Sequence, residues 1–367
     1  MVADQAAESV AAVENDATPS GWSDVLTRLL QGQELSLGYA GWAMDRIMSG
    51  DASPAQIAGF LMALRAKGET STEIRAVADV MLAHAHRIAV PGPAIDIVGT
   101  GGDRAQTVNI STMSALTVAA AGVRVVKHGN RAASSRSGTA DCLEALGVNV
   151  TLDPEQVERV AQEADITFCF AQRFHPSMRY AGPVRAELGV PTVFNVLGPL
   201  TNPAQPDYAA VGVADARMAP LVADVFASRG HRTAVFRGDD GLDELTISTT
   251  SSLWWVDGGE VSALSVDPAR LGLDYAPLES LRGADAAYNA GVVREIFAGA
   301  TGPIRDAVLL NSGVALAVAS GDRVTDEPSL DAALAAGIER ARRALDEGAA
   351  AATLERWRAA TVAAGQG

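Results

Sequence analysis

The sequence predicts an α/β fold, with a small N-terminal helical domain and a larger α/β domain built on a mostly parallel central sheet. Three observations support this prediction. Helical patterns fill residues 22–87 without a strand, strand–loop–helix units repeat from residue 93 onward, and 48% of the 367 residues are hydrophobic. The alternation is typical of a parallel sheet covered by helices, and the apolar fraction is sufficient for a sizeable core.

The helical domain is predicted at residues 21–92, after an acidic, alanine-rich segment at residues 1–20 that we expect to be a flexible extension. Apolar residues recur at spacings of three and four in four stretches before residue 88. The third stretch begins with Ser53 and Pro54, a pair that is typical of a helix start. We expect about residues 182–203 to complete this domain.

The α/β domain is predicted at residues 93–181 and 204–367. Its expected strands are residues 94–98, 123–127, 166–170, 208–213 and 233–236. Its expected helices are residues 111–121, 138–146, 154–164 and 215–228, and the tail at 330–363 is also expected to be helical. Two short apolar runs separated by Asp-Gly-Gly at residues 257–259 predict an antiparallel hairpin.

The charge balance excludes several classes of partner. The chain has 29 Lys and Arg against 44 Asp and Glu, a net charge of −15 that disfavours nucleic acid and anionic membranes. Two cysteines are too few for a secreted disulfide scaffold, and the acidic N-terminus does not resemble a signal peptide, so we expect a cytoplasmic protein. Against this average, residues 104–140 contain five cations and no acid, which indicates an anion site.

The first phosphate-binding loop is predicted at GTGGD, residues 99–103, directly after a strand. Glycines let backbone amides turn toward a phosphate, and a helix starting near NIST, residues 109–112, offers its positive end to the same anion. The loop matches neither a Walker A motif nor a Gly-x-Gly-x-x-Gly fingerprint. A tight strand-to-helix turn without a ligand is therefore an alternative interpretation.

A second loop, KHGNRAASSRSGTAD at residues 127–141, carries a stronger pattern. Its first thirteen residues combine three cations with four hydroxyl side chains and two glycines, and no acid occurs before Asp141. Such donors suit a multiply charged phosphate group, whereas the alternative, a solvated surface loop, usually mixes charge signs. Two such loops predict a ligand with phosphate at both ends.

Carboxylates come after the last expected parallel strand, in DDGLDE at residues 239–244. At the carboxyl end of a parallel strand, these side chains are expected to face the ligand crevice. Acids beside an anion site predict Mg²⁺, which binds one or two carboxylates together with substrate oxygens. An acidic surface turn is the alternative.

Together, the two loops, NIST at residues 109–112, NVLGPLTNP at residues 195–203 and the Asp243-Glu244 pair closely resemble the anthranilate phosphoribosyltransferase family. The resemblance runs from about Trp22 to the C-terminus. It implies a nucleoside phosphorylase-like phosphoribosyltransferase fold and a homodimer formed through the helical domain. It also implies transfer of the phosphoribosyl group of 5-phosphoribosyl 1-pyrophosphate (PRPP) to the amine of anthranilate, the second step of tryptophan biosynthesis from chorismate.

The resemblance further implies the substrate-binding residues. Anthranilate is expected at Gly99, Asn130 and Arg185, whose guanidinium suits a carboxylate. The expected PRPP contacts are Gly99, Gly102, Asp103, Thr107, Asn109, Ile110, Ser111, Thr112, Lys127, His128, Gly129, Asn130, Arg131, Ala132, Ala133, Ser134, Ser135 and Thr139.

The resemblance also implies two magnesium ions, one on Ser111 and Glu244 and the other on Asp243 and Glu244. His128 is a candidate to accept the proton after the amine attacks, and a packing or backbone-bonded role is the other interpretation. The aromatic amine is already neutral near pH 7, so no strong base is required before attack.

Two rival functions remain open at this point. A pyrimidine nucleoside phosphorylase-like enzyme also handles ribose and phosphate, but is expected to carry a different second loop. A catalytically inactive relative could bind nucleic acid through a basic face. The intact Asp243-Glu244 pair and the net charge of −15 argue against this second rival.

Overall fold

The structure, a computed structural model, describes residues 18–131 and 136–366. The predicted extension at residues 1–20 therefore lies almost entirely outside the described residues. The chain divides into two compact units. The first comprises residues up to Ala85 together with His175–Leu197, and the second comprises His86–Phe174 together with the residues from Gly198 onward.

The first unit begins with four helices, as the sequence predicts. They are α1 Trp22–Leu30, α2 Leu37–Met48, α3 Pro54–Lys67 and α4 Ser71–Ala83. The start of α3 is a capping box, in which the Ser53 hydroxyl accepts from the Gln56 N–H at 3.3 Å and the Gln56 side chain accepts from the Ser53 N–H at 2.8 Å. The buried carboxylate of Glu73 accepts from the Leu35 N–H at 2.8 Å and from Lys67 Nζ at 2.9 Å, so its charge is paired.

The second unit is built on a seven-stranded sheet with the order β3-β2-β1-β4-β5-β6-β7. The strands are β1 Ile95–Gly99, β2 Val125–Gly129, β3 Ile166–Phe170, β4 Tyr208–Gly212, β5 Arg232–Gly238, β6 Ser251–Asp257 and β7 Glu260–Val266. The first five strands in this order are parallel, and β6 and β7 form an antiparallel hairpin at one edge. The predicted α/β class and hairpin are confirmed.

The remaining helices alternate with these strands or come after them. They are α5 Ile110–Ala120, α6 Thr139–Ala145, α7 Pro154–Ala164, α8 Ala171–Phe174, α9 Met178–Leu188, α10 Leu197–Leu200, α11 Met218–Ser228, α12 Ala286–Phe297, α13 Pro303–Ser320, α14 Glu327–Asp346 and α15 Ala349–Ala364. Helix α9 belongs to the first unit. In the part of the chain that the structure describes, no helix combines the length and the apolar character needed to cross a bilayer.

Several elements differ from the sequence-based expectations, and helices α8, α9, α10 and α12 were not predicted. The tail is helical as predicted, and it is divided into α14 and α15 because the chain turns at Gly348, whose φ of 74° favours glycine. Helix α13 was not predicted: 13 of its 18 residues are buried, so it lacks the one-sided apolar pattern of a surface helix. Strand β2 begins two residues later than expected and continues to Gly129, which places Lys127 inside the strand.

Candidate active site

Strands β1 and β4 both end in a glycine, and these glycines, Gly99 and Gly212, are register partners. The peptide of Asp243 lies directly against them. A Cβ atom on Gly212 would be 1.7 Å from the Asp243 carbonyl oxygen, and one on Gly99 would be 2.2 Å from Asp243 Oδ2. Only glycine permits such a close approach. The fold therefore brings the acidic segment after β5 onto the carboxyl ends of β1 and β4.

The carboxyl groups of Asp243 and Glu244, here called the acidic pair, are bound by the first loop and the start of α5. Asp243 Oδ2 accepts a hydrogen bond from the Gly101 N–H at 2.7 Å, and the Glu244 carboxylate accepts one from the Ser111 N–H. Burial and repulsion from Asp103 raise the pKa of Asp243 to about 7, and burial and repulsion from Asp243 raise the pKa of Glu244 well above its ordinary value. The ionised carboxylates of Asp243 and Glu244 thus repel each other, and a cation bound between them would stabilise both.

Lys127 faces the acidic pair from inside β2 and does not project from the second loop. Its ammonium donates hydrogen bonds to the Ile97 carbonyl oxygen and, at 3.2 Å, to Ser111 Oγ, and the residue is 1% exposed. Burial lowers the pKa of Lys127, while attraction to Asp96 and the acidic pair opposes that shift. Its expected contact with PRPP remains a prediction.

His128, the candidate proton acceptor, is buried on β2. Its Nδ1 lies 2.9 Å from the Gly198 carbonyl oxygen, and burial lowers the pKa of His128 to about 4. At neutral pH the imidazole is therefore uncharged and weakly basic. Asp96, which was not among the predicted site residues, accepts hydrogen bonds from the His128 N–H at 3.1 Å and from Asn202 Nδ2 at 2.8 Å. An acid inside an apolar strand is the signal that could have found it.

In the structure the first loop continues beyond residue 103 to Asn109, the residue before α5, and it is paired with residues 281–283 by two backbone hydrogen bonds of 2.8 and 2.9 Å. Within it, Arg104 and Gln106 have φ angles of 61° and 55°, which are uncommon for residues other than glycine. Gly102 is exposed and Thr107 is half-buried, so both are accessible from solvent. Such conformations persist where neighbouring structure imposes them, and they are frequent at binding sites.

The amides at the start of α5 are already hydrogen-bonded. The Ile110 N–H donates to a loop carbonyl at 2.7 Å, the Thr112 N–H donates to the Asn109 carbonyl at 3.1 Å, and the Ser111 N–H donates to Glu244. The side chains of Ile110 and Thr112 are both only 1% exposed. Contacts from these amides to PRPP, which the resemblance implies, therefore require an exchange of partners.

The second loop is closed at its base by the Ala140 N–H, which donates to the Asn130 carbonyl at 3.2 Å. The guanidinium of Arg131 binds two carboxylates of α6, Asp141 at 2.9 Å and Glu144 at 2.6 Å. These two partners raise the pKa of Arg131. The guanidinium is therefore anchored to α6 and does not extend freely into the loop.

Thr139 packs over the end of β2, and a Cβ built on Gly129 would lie only 3.4 Å from the Thr139 Cβ. Ser137 is 5% exposed and hydrogen-bonds with Asn109, so the second loop touches the residue before α5. Four expected PRPP contacts lie outside the described residues: Ala132, Ala133, Ser134 and Ser135.

The five cations of the acid-free stretch have different surroundings. Arg124 pairs with Asp165 at 2.7 Å, Arg131 with α6, and Lys127 lies beside the acidic pair. Arg104 and Arg136 are exposed and form no ion pair with another described residue. Three of the five cations thus lie beside acids in the folded protein, which reduces the positive charge that the stretch presents to solvent.

Asn311 on α13 anchors the acidic pair from the interior. Its Oδ1 accepts from the Leu245 N–H at 2.9 Å and its Nδ2 donates to the Leu245 carbonyl at 2.8 Å. Leu245 directly follows Glu244, so these bonds fix the backbone that carries both carboxyl groups. Asn311 was not among the predicted site residues, although an asparagine amid the mostly apolar residues 307–318 is unusual.

Arg185 belongs to α9 in the first unit. Its guanidinium lies 4.9 Å from the centroid of the Phe194 ring, and burial lowers the pKa of Arg185. The other residues expected at anthranilate, Gly99 and Asn130, belong to the second unit. The anthranilate site as a whole remains a prediction.

Among residues 18–131 and 136–366, no group of three His, Cys, Asp or Glu side chains forms a ready metal site. Ser111, Asp243 and Glu244 nevertheless offer hard oxygen atoms close to the first loop. Mg²⁺ commonly uses one or two carboxylates and takes its remaining ligands from water and substrate phosphates. The donor set therefore suits a magnesium ion that is completed by an anionic substrate.

Comparison with known proteins identifies the family. The models described as "Glycosyl transferase family, a/b domain" and "Glycosyl transferase family, helical bundle domain" match residues 91–351 and 23–85. An anthranilate phosphoribosyltransferase from a Nocardioides species is 59% identical over 344 residues, which cover 93% of this chain and 99% of that protein. The chain belongs to the anthranilate phosphoribosyltransferase family. A second relative of that name, from Thermobifida fusca, is 57% identical over 336 residues, 92% of this chain and 95% of that protein.

Solved structures of anthranilate phosphoribosyltransferases match almost the whole chain. The enzyme from Thermus thermophilus is 41% identical, with a TM-score of 0.85 over 92% of this chain and 99% of that one. The enzyme from Saccharomyces cerevisiae, solved in complex with PRPP and Mg, is 27% identical, with a TM-score of 0.84 over 93% of this chain and 98% of that one. The family that the motifs indicate is thereby confirmed, and the chain is an enzyme of the glycosyltransferase class.

Proposed function

We propose that this protein transfers the phosphoribosyl group of PRPP to the amine of anthranilate, giving N-(5′-phosphoribosyl)anthranilate and pyrophosphate, in the second step of tryptophan biosynthesis from chorismate. The observation that carries this proposal is the acidic pair. Its carboxyl groups are held against the ends of β1 and β4 by the amides of Gly101 and Ser111, within the first phosphate loop and at the start of α5. Family membership supports the same reaction, because the relatives of this chain are named anthranilate phosphoribosyltransferases.

The reaction displaces pyrophosphate from the anomeric carbon, so positive charge develops on the ribose and negative charge on the leaving group. The residues that we propose to bind PRPP supply charged groups and hydrogen-bond donors that stabilise both of these developing charges. Anthranilate attacks with an amine that is neutral near pH 7. Since the pKa of His128 is about 4, its imidazole is neutral but only weakly basic at that pH. We therefore assign the chain's main contribution to orientation of the two substrates and not to strong base catalysis.

We propose that the acidic pair and Ser111 hold two magnesium ions, one on Ser111 and Glu244 and one on Asp243 and Glu244. When bound, magnesium stabilises the negative charge of the diphosphate leaving group. The raised pKa of Asp243, about 7, supports this assignment, because a nearby cation favours the ionised carboxylate. The solved complex of the yeast relative with PRPP and Mg supports the same cofactor.

We further propose that the protein is a cytoplasmic homodimer formed through its helical domain. Leu30 on α1 is 79% exposed and Met62 on α3 is 37% exposed. These are apolar side chains on the surface of the helical unit that a dimer interface would bury. Light scattering of the purified protein tests this. A dimer mass for the native protein and a monomer mass for Leu30→Glu with Met62→Glu are expected, whereas a native monomer contradicts the proposal.

The decisive experiment measures anthranilate fluorescence in the presence of purified protein, PRPP and MgCl₂. We expect the fluorescence to fall as anthranilate is consumed, and chelation of magnesium to stop the fall. Asp243→Asn combined with Glu244→Gln should abolish turnover. The matched control is Asp257→Asn combined with Glu260→Gln, two acids that are register partners at the turn of the β6–β7 hairpin, and it should retain turnover.

The same preparation separates the rival functions. Phosphate-dependent cleavage of thymidine without loss of anthranilate fluorescence would replace the proposal with a nucleoside phosphorylase. Salt-sensitive binding of duplex DNA without either activity would instead support an inactive nucleic-acid-binding relative. A native protein that leaves anthranilate unchanged under all conditions, with substrates verified on an active enzyme, refutes the proposed function.

A further inference from the structure

We propose that Asn289 is a positioning residue for phosphoribosyl transfer, which locks the two phosphate-binding loops to one another through Asn109. The inference rests on the proposed function, because it concerns how the PRPP site is held in shape. Asn289 lies on α12, outside both loops, and is only 2% exposed.

A row of hydrogen bonds connects Asn289 to both loops. The Ala284 N–H donates to Asn289 Oδ1 at 3.0 Å, and Asn289 Nδ2 donates to Asn109 Oδ1 at 2.8 Å. Asn109 Nδ2 in turn donates to the Ser137 carbonyl oxygen at 3.2 Å, and the Ser137 hydroxyl donates back to Asn109 Oδ1 at 3.4 Å. Asn109 ends the first loop and Ser137 belongs to the second, so the row joins them.

Backbone groups at both ends fix the direction of this row. A backbone N–H can only donate, so Ala284 requires the oxygen of the Asn289 amide. The nitrogen of Asn289 must then face Asn109, whose oxygen accepts. Asn109 consequently directs its own nitrogen to the Ser137 carbonyl, which can only accept. Each amide therefore has one satisfied orientation, and Asn289 supplies the shorter of the two hydrogen bonds that Asn109 Oδ1 accepts, 2.8 Å against 3.4 Å from the Ser137 hydroxyl.

Asn109 is available for this task because it does not cap its own helix. It occupies the position before α5, yet its side chain makes no hydrogen bond to the first helical amides. The corresponding residues of α3 and α4, Ser53 and Thr70, do make such bonds. The side chain of Asn109 is thus used to connect loops and not to stabilise α5.

Asn289 also packs against the segment that pairs with the first loop. A Cβ atom on Gly283 would lie 2.8 Å from Asn289 Oδ1 and 2.7 Å from the Thr107 carbonyl oxygen. Asn289, residues 282–284 and the Thr107 backbone therefore form one close-packed layer. Movement of Asn289 is transmitted to the first loop both by the hydrogen bond to Asn109 and through this layer.

The variant Asn289→Asp isolates the donor. It keeps an oxygen for the Ala284 N–H and replaces the nitrogen that faces Asn109 by an acceptor. We expect the KM for PRPP to rise about tenfold, the size of one lost buried hydrogen bond, with a smaller change in kcat. Asn149→Asp is the matched control, because it adds the same charge at a residue whose side-chain hydrogen bonds within the described part of the chain, both from Thr151, use the oxygen that aspartate retains. Its KM should equal that of the native enzyme.

A double-mutant cycle separates the proposed row from a long-range effect of the added charge. In the Asn109→Ala background, Asn289→Asp should raise the KM for PRPP no further, because the residue through which it acts is absent. An equal rise in both backgrounds, or a native KM in Asn289→Asp alone, overturns the inference. Asn289→Ala serves the same cycle if the aspartate variant does not fold. A native enzyme without activity instead refutes the proposed function, so the two failures are distinguishable.

Discussion

Replacing Gly212 by alanine tests whether the strand ends and the acidic pair form one unit. The added Cβ would lie 1.7 Å from the Asp243 carbonyl oxygen and 2.4 Å from its carbonyl carbon, whereas real Cβ atoms essentially never come closer than 3.0 Å. The Asp243 peptide must therefore retreat by at least 3.0 − 1.7 = 1.3 Å. The obstacle is backbone, so no side-chain rotation can relieve it.

A displacement of this size is expected to impair catalysis more than folding. A misplacement of about 1 Å at a site can cost about 10²-fold in rate, and overpacking typically costs about 1–3 kcal/mol of stability. We therefore expect kcat/KM for Gly212→Ala to fall about 100-fold, equivalent to about 2.7 kcal/mol, with an unfolding transition that is still cooperative. The magnesium concentration for half-maximal activity should rise as well, because the carboxyl groups move with the peptide.

The assay is anthranilate fluorescence over a series of PRPP and magnesium concentrations, with urea unfolding in parallel. Gly291→Ala is the matched control, because a Cβ built on this α12 glycine has no described heavy atom within 4 Å apart from its chain neighbours and the nearby backbone of its own helix. It should keep native kcat/KM and gain about 0.4–1 kcal/mol of stability. A Gly212→Ala enzyme with native kcat/KM and native magnesium dependence would refute the reasoning.

Three further predictions concern individual side chains. Because burial lowers the pKa of His128 to about 4 from 6.5, the unfolded state binds a proton that the native state lacks between these values. This residue's contribution to stability should therefore fall by about 3 kcal/mol from pH 7 to pH 4, and urea titrations of His128→Gln should lack that component. Arg185→Ala should raise the KM for anthranilate at least tenfold and leave the KM for PRPP nearly native, and equal effects on both constants contradict its assignment. Burial raises the pKa of the Cys142 thiol to about 12 and that of Cys169 well above its ordinary value, so a thiol reagent should label both only after unfolding.

The sequence was sufficient for elements whose pattern is local. Strand β3 and helix α7 lie at the predicted residues, because an apolar run and an Asp153-Pro154 helix start mark them directly. The acidic segment after β5 was also found, because the loops that leave parallel strands gather at one edge of the sheet. Helix α13 was missed for the opposite reason, since a helix buried on all sides carries no periodic pattern.

The parts of the site that depend on distant contacts were not predictable. Gly212 is one glycine among 35, and only the fold shows that the Asp243 peptide touches it. Lys127 was expected in a phosphate loop, but β2 extends two residues further and turns it toward the acidic pair. Asn289 lies 180 residues from Asn109 in the sequence, and nothing local in either segment indicates their hydrogen bond.

The ion pairs within the acid-free stretch, residues 104–140, affect how fast PRPP associates with the protein. Of its five cations, only Arg104 and Arg136 are exposed without an ion pair to a described residue, while the whole chain carries −15. Long-range attraction therefore does little to draw a polyanion from bulk solution. Because the chain as a whole and PRPP are both negatively charged, the association rate of PRPP should not fall as ionic strength rises. Selectivity for PRPP then arises after encounter, when hydrogen-bond partners such as those of Arg131 and Ser111 are exchanged for substrate oxygens.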